Sequence, residues 1–370
     1  VTISIRETEL IALAYGAQLL SSGGGGDTYL GRRLAEIYIS EYGPVELCQI
    51  DELHDQGPVC ATGLVGSVVA FSEKPGGSEV FVGALDALNR YKGEQAVAVF
   101  PYECVGINAF LPLVLAASQR LRLIDVDFMG RAFHSLAQAT PTLTQQHLAP
   151  AVVAGTNGSI VLLDGIMNQQ LENSIRPMLK DFGGWGAFAA FHESSSMTRS
   201  VAIQGSYTRA MELGRDYLDA LNDNKGDVVS ALNQLSELDS LRLLGHGYVS
   251  DVYWTTRSRG EQHAPAAIFT VQPTDGGFGT NQGHSNIRID AMHEFLIVSQ
   301  GGEILAESPQ IITVVDSTTS RAVQTSSLRK GMRVEIVSLK PPAEWTSDVG
   351  VSLTNAKFHG INLPRTNGVS

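Results

Sequence analysis

The residues of this chain that could do chemistry fall in three short stretches: PYECVGIN, IDVDFMGRAF and SSGGGGDTYLGRR. In the first, Glu103 closes an apolar strand, where desolvation raises a carboxyl pKa toward that of a working general base. Asn108, at the start of the next helix, is placed to orient a ligand. The structural alternative is that Glu103 caps that helix and meets its N-terminal dipole. Cys104 shares the position, which lowers a thiol pKa, but a buried, inert cysteine is the competing reading.

In the second stretch Asp125 and Asp127 flank Val126, so an extended strand directs both carboxylates to one face. Such a pair can split its pKa values for acid–base work or hold a divalent metal. Arg131 either neutralises the pair in a structural network or binds a substrate carboxylate through two parallel hydrogen bonds. In the third, Gly23, Gly24, Gly25 and Gly26 lead into Asp27, a good helix N-cap. Free N–H groups at a helix start suit a phosphate or carboxylate. Ordering four glycines is entropically costly, and the alternative use is a tight connection packed against neighbouring backbone. No Lys-Ser/Thr follows, which excludes a Walker A loop. A helix rather than a strand precedes, which excludes a dinucleotide fingerprint.

These stretches need elements to hold them. Periodicity predicts a helix over 7–20 and a second from Asp27, with Tyr29, Leu30, Leu34, Ile37 and Tyr38 on its apolar side. Strands are expected at VELCQI, PVCATGLVGSVVAF, QAVAVFPYEC and LRLIDVDF, with helices at SEVFVGALDALNRY and GINAFLPLVLAASQR between them. Alternation of this kind predicts an α/β domain with a mostly parallel sheet, over 1–165. The strand ends carrying Gly63, Glu103 and Asp125 to Asp127 are then expected to meet at the Gly23–Gly26 loop, because parallel strands end on one edge. From 166 to 370 a helical segment, interrupted at GGWGAFAAFHESSS, precedes a β-rich barrel or sandwich over about 245–345. Gly301-Gly302 reads as a hairpin turn, and the polar stretch 273–286 as a long loop.

The chain has 370 residues and a formal charge of -12, with no basic run, which argues against a nucleic-acid partner. Nothing approaches a membrane-spanning apolar stretch, and the N-terminal residues lack the apolar core of a signal peptide. Cys48, Cys60 and Cys104 form neither a disulfide framework nor a zinc pattern, so a cytoplasmic setting is expected. No cofactor is required by the sequence, with a divalent metal as the alternative. The expected partner is a small-molecule substrate; homo-oligomerisation is left open.

The quoted stretches, together with HEFLIVSQGGEI and QIITVVDSTTSRAVQTSSLRKGMRVEIV, occur in the order seen in the S-methyl thiohydantoin desulfurase family, which the chain resembles over most of its length. Val105 stands where a second glycine is usual, and His134 where proline is usual. The resemblance implies an α/β domain followed by a β-rich domain. It further implies hydrolysis of a hydantoin-like heterocycle at the carbon between two ring nitrogens, with methanethiol leaving. On that reading Glu103 is the base and Asp125 or Asp127 the acid partner or metal ligand. Backbone N–H groups of Gly23 to Gly26 and Arg131 hold a carboxylate tail or the developing anion. The competing expectations are a non-catalytic small-anion-binding or regulatory protein and a metal-dependent cyclic amidohydrolase.

Overall fold

In the computed structural model of the chain, which describes residues 3–54, 56–238, 240–259, 262–274 and 285–361, the backbone divides into two compact units. One comprises Val1–Ala17 with Gly25–Gly214, the other Gln18–Gly24 with Arg215–Ser370. The glycine run is therefore the place where the chain returns from one unit to the other. Among the described residues no helix is long and apolar enough to cross a membrane.

The helices are α1 (Leu10–Leu19), α2 (Thr28–Tyr42), α3 (Val68–Glu73), α4 (Ser78–Lys92), α5 (Leu111–Gln119), α6 (Asn168–Met178), α7 (Ser195–Val201), α8 (Ser206–Asp223), α9 (Val228–Glu237) and α10 (Asp348–Thr354). The first unit holds β1 (Ile3–Ile5), β2 (Val45–Cys48), β3 (Pro58–Gly66), β4 (Ala98–Pro101), β5 (Arg122–Ile124), β6 (Val126–Asp127), β7 (Ala151–Ala154), β8 (Ile160–Leu163), β9 (Trp185–Ser194) and β10 (Ile203–Gln204). Its main sheet runs β1-β2-β5-β4-β3-β9-β7-β8. Only the ladders joining β2, β5, β4 and β3 are parallel. The β1, β9, β7 and β8 ladders are antiparallel. The expected mostly parallel sheet is thus a mixed sheet with a parallel centre. The central strands β3 and β4 are continuous buried runs, as strands buried on both faces are.

Three local expectations change. The strand predicted through Phe71 stops at Gly66, where Ser67 caps α3 by accepting from the Ala70 amide at 3.2 Å. GGWGAFAAFH, read as an interruption between helices, contributes β9, wedged between β3 and β7. LRLIDVDF breaks at Asp125: β5 stays in the main sheet while β6 pairs with β10 in a separate two-stranded ribbon. Asp27 does cap α2, accepting from the Tyr29 amide at 2.8 Å. The buried stripe of that helix is Thr28, Gly31, Ala35 and Ile39, whereas Tyr29 and Ile37 are more than half exposed. Small residues win the inner face because α2 lies close to α5, with Gly31 against Phe110.

The second unit is built on β11 (Arg242–Arg259), β12 (Gln262–Pro273), β13 (Ile287–Met292), β14 (Glu294–Gln300), β15 (Glu303–Glu307), β16 (Ile311–Asp316), β17 (Arg321–Ala322) and β18 (Arg333–Leu339). They form one antiparallel sheet, β15-β14-β13-β12-β11-β18-β16-β17, that does not close into the expected barrel. Its core gathers Phe269, Ile289, Phe295, Val314 and Ile336. The hairpin at Gly301-Gly302 is present, with Gln300 opposite Glu303. Most of the loop over 273–286 lies outside the described residues.

Candidate functional site

Glu103 emerges directly beyond β4 and is 5% exposed. Its neighbour Asn108 lies in the helical turn leading into α5. The Asn108 side-chain oxygen accepts from the Leu64 amide at 2.7 Å, and its Nδ2 donates to Glu103 Oε1 at 2.7 Å. The same Nδ2 lies 2.9 Å from the Tyr102 hydroxyl, which donates to the Leu64 carbonyl. Gly63 makes this arrangement sterically possible. A Cβ there would lie 2.7 Å from the Tyr102 ring and 2.9 Å from Asn108 Oδ1.

Burial pushes the Glu103 carboxyl up to about 8, and the charge of Asp127 adds to the rise. The hydrogen bond from Asn108, with the nearby Tyr102 hydroxyl and Phe133 amide, acts in the opposite direction. Glu103 Oε2 has no well-formed hydrogen bond. A buried carboxyl with one oxygen anchored and the other uncommitted is suited to proton transfer.

Asp125 and Asp127 are fully buried and belong to different local structures. Asp125 Oδ1 accepts from the Tyr207 and Thr208 amides at 2.7 and 3.2 Å, and Oδ2 from the Thr208 hydroxyl and Gln49 Nε2. It thereby serves the first turn of α8, where a carboxylate meets the positive end of the helix dipole. Asp127 accepts from the Cys104 amide at 2.7 Å, the Gly130 amide at 2.9 Å and the Ser206 hydroxyl at 2.9 Å. Burial raises its pKa to about 6 despite these bonds and the nearby Arg209. Through Cys104 it fixes the residue next to Glu103. Burial, reinforced by the charges of Asp127, Asp125 and Glu103, lifts the Cys104 thiol well above its usual range, which opposes a nucleophilic role. Among the described residues no group of three or more His, Cys, Asp and Glu side chains is arranged to hold a metal ion.

Arg131 is fully buried, its Nε donating to the Ala132 carbonyl at 3.1 Å and its guanidinium carbon 4.8 Å from the Phe133 ring centre. The glycine run is turned onto protein atoms. In the second unit, the Gly24 amide donates to the Ser21 carbonyl and the Gly23 carbonyl accepts from Thr325, both at 2.9 Å. In the first unit, the Gly25 carbonyl accepts from the Ile107 amide at 2.8 Å. Gly25 adopts a φ of +67° and approaches Gly106 so closely that a Cβ on Gly106 would lie 2.0 Å from the Gly25 oxygen. Gly26 abuts Val68. Gly63, Asn108 and Glu103 are thus in contact beyond β4, Asp127 reaches Cys104 beside them, and Gly25 meets Gly106. Sequence reasoning passed over Tyr102, although a hydroxyl ending a buried apolar strand, next to a glutamate, was a usable signal.

The pattern of an α/β unit with a carboxylate-bearing strand end, followed by a β-rich unit, has counterparts. Residues 8–165 match the S-Me-THD-like N-terminal domain and residues 166–367 the S-Me-THD-like C-terminal domain. The chain belongs to the S-Me-THD-like family. A crystal structure of a protein from Chromobacterium violaceum is similar in fold, with a TM-score of 0.73 at 21% identity, covering 95% of each chain. No curated protein matches the sequence.

Proposed function

We propose that this chain is a hydrolase of the S-methyl thiohydantoin desulfurase type, acting on a hydantoin-like heterocycle and releasing methanethiol. The observation that carries the reading is Glu103: buried, anchored through Oε1, uncommitted at Oε2, and raised to about 8. Family membership supplies the substrate class. In the reaction, water attacks the ring carbon that bears the S-methyl group, and Glu103 Oε2 takes its proton. The carbon–sulfur bond breaks, the thiolate is protonated as methanethiol, and the carbon is left as a ring carbonyl between two nitrogens.

Asp127 holds the Cys104 amide and so the backbone beside the base; Asp125 holds α8. Both support the site as hydrogen-bond acceptors that hold the surrounding backbone. Arg131 and the backbone amides of Gly25, Gly26 and Asp27 supply the positive side that stabilises charge developing on the ring or sulfur. The test is methanethiol release from an S-methylated thiohydantoin, followed with a thiol reagent, by the parent chain and by Glu103→Gln. The variant keeps the shape and removes the proton acceptor, so turnover falls by on the order of 10²-fold or more with little change in KM. Undiminished turnover by the variant overturns the assignment of the base.

A further inference from the structure

The directions of the side-chain donors at Glu103 Oε1 can be read from the backbone upward. The Leu64 amide can only donate, so the Asn108 atom 2.7 Å from it is the side-chain oxygen. That settles the amide orientation, because the other end of Asn108 must then be the NH2 group. This NH2 group faces Glu103 Oε1 at 2.7 Å and has no acceptor capacity. The Tyr102 hydroxyl spends its single proton on the Leu64 carbonyl and stands 3.5 Å from Oε1. Oε1 is therefore an acceptor in both charge states of Glu103, and Asn108 cannot receive a proton from it.

We propose that Asn108 is a positioning residue that confines the proton of Glu103 to Oε2, so that neutral Glu103 presents an O–H, and ionised Glu103 a lone pair, to the ligand on its uncommitted side. The ligand chemistry that fits is a planar ring whose sp2 nitrogen accepts that O–H in one state and whose attacking water gives up its proton in the other. An S-alkylated cyclic isothiourea has such a nitrogen beside the reacting carbon. The inference rests on Glu103 being the proton-transfer group proposed above, but the placement of the proton stands on the hydrogen-bond directions at Oε1 and the absence of a well-formed one at Oε2.

The groups that bear on this proton are few. Asp127 disfavours the ionised form by its charge, and Asn108, Tyr102 and the Phe133 amide favour it. The Cys104 thiol remains neutral beside it. Glu172 and Arg176 act on Tyr102 with opposite sign. Removing the Asn108 donor should thus leave the carboxyl harder to ionise.

The experiment titrates the carboxyl in the full chain without substrate, by pH-difference infrared spectroscopy of the protonated-carboxyl band, assigned by its loss in Glu103→Gln. In Asn108→Leu the midpoint should rise by roughly one to two pH units, the scale of a lost charge-assisted hydrogen bond. Asn108→Asp, isosteric and still able to accept from Leu64, should raise it as well and serves if the leucine variant does not fold. Methanethiol release by either folded variant should fall roughly ten-fold or more near neutral pH and recover as pH is raised. A merely structural role would depress turnover at every pH without moving the midpoint. An unmoved band in a folded variant overturns the inference. A shifted band with no methanethiol released by the parent chain sustains the inference and defeats the functional reading instead.

Discussion

Glu103 in the first unit and Glu335 in the second are both buried glutamates whose pKa burial has raised, and the two differ in what lies around them. Glu335 stands in the interior of β18, directly across the ladder from His246 on β11. It is fully buried, accepts from the Ser317 hydroxyl at 3.0 Å, and has its Oε2 3.8 Å from His246 Nδ1. Burial lifts it to about 7, while Arg333 draws it down. Burial and Arg333 together lower the pKa of His246. Glu103 is raised further, to about 8, but sits past the end of a parallel strand, where the Asn108 amide, locked to the Leu64 backbone, holds one oxygen. A perturbed carboxyl is therefore not by itself a site, because desolvation acts the same way inside a regular ladder. Both leave Oε2 without a well-formed hydrogen bond, so what separates the two is position: Glu103 lies past the end of a parallel strand, Glu335 within a ladder.

The largest expected effect breaks the comparison outright. Glu103→Gln should lower methanethiol release by on the order of 10²-fold or more, whereas Glu335→Gln should change it less than about two-fold. Parallel losses in the two variants would show that the assay reads stability rather than chemistry.

The second test sets the two carboxyls on the same footing. A carboxyl whose pKa rises on folding stabilises the native state most below its unfolded pKa, and that contribution is lost as pH climbs through the folded value. For Glu103 the window runs from 4.5 to about 8, and for Glu335 from 4.5 to about 7. Urea melts across that range should show wild-type stability declining with pH. Either glutamine variant should have a flatter profile, and Glu103→Gln should exceed the wild type near the top of its window by on the order of 1–4 kcal/mol. A steeper profile in Glu103→Gln would mean that the carboxyl is ionised throughout.

Glycines sharpen the contrast at smaller scale. Gly25→Ala forces a side chain into a φ of +67° with its Cβ 3.3 Å from the Gly106 Cα. A loss of about 1–2 kcal/mol is expected in denaturant melts. Reduced substrate affinity beyond that loss would give Gly25 a role at the site as well as in packing. At the exposed β14–β15 hairpin, Gly301 has a φ of +57°, a conformation asparagine tolerates. Gly301→Asn should therefore cost no more than a few tenths of a kcal/mol. A larger loss there would mean that the turn is held by more than its own backbone.

Several features were legible from the residues alone. The helices α4 and α5, the Asp27 cap and the two-glycine hairpin depend on neighbours within a few positions, and the structure has them. Glu103 was visible for the same reason: a charge at the end of an apolar run is a local anomaly. Other features depended on partners far along the chain. WGAFAAFH carries no alternation because β3 and β7 flank it and both of its faces are buried, so its periodicity resembles neither a half-exposed strand nor a surface helix. The break at Asp125 answers to the amides of Tyr207 and Thr208, more than eighty positions later. The division of the glycine run between units follows from the Gly25 carbonyl accepting from the Ile107 amide on one side and the Gly23 carbonyl from the Thr325 amide on the other. Residue letters encode side-chain type and local period, whereas backbone donors and acceptors are the same at nearly every position. Which of Glu103's two oxygens stays available was decided by one such group, the amide of Leu64, brought to Asn108 only by the folded sheet.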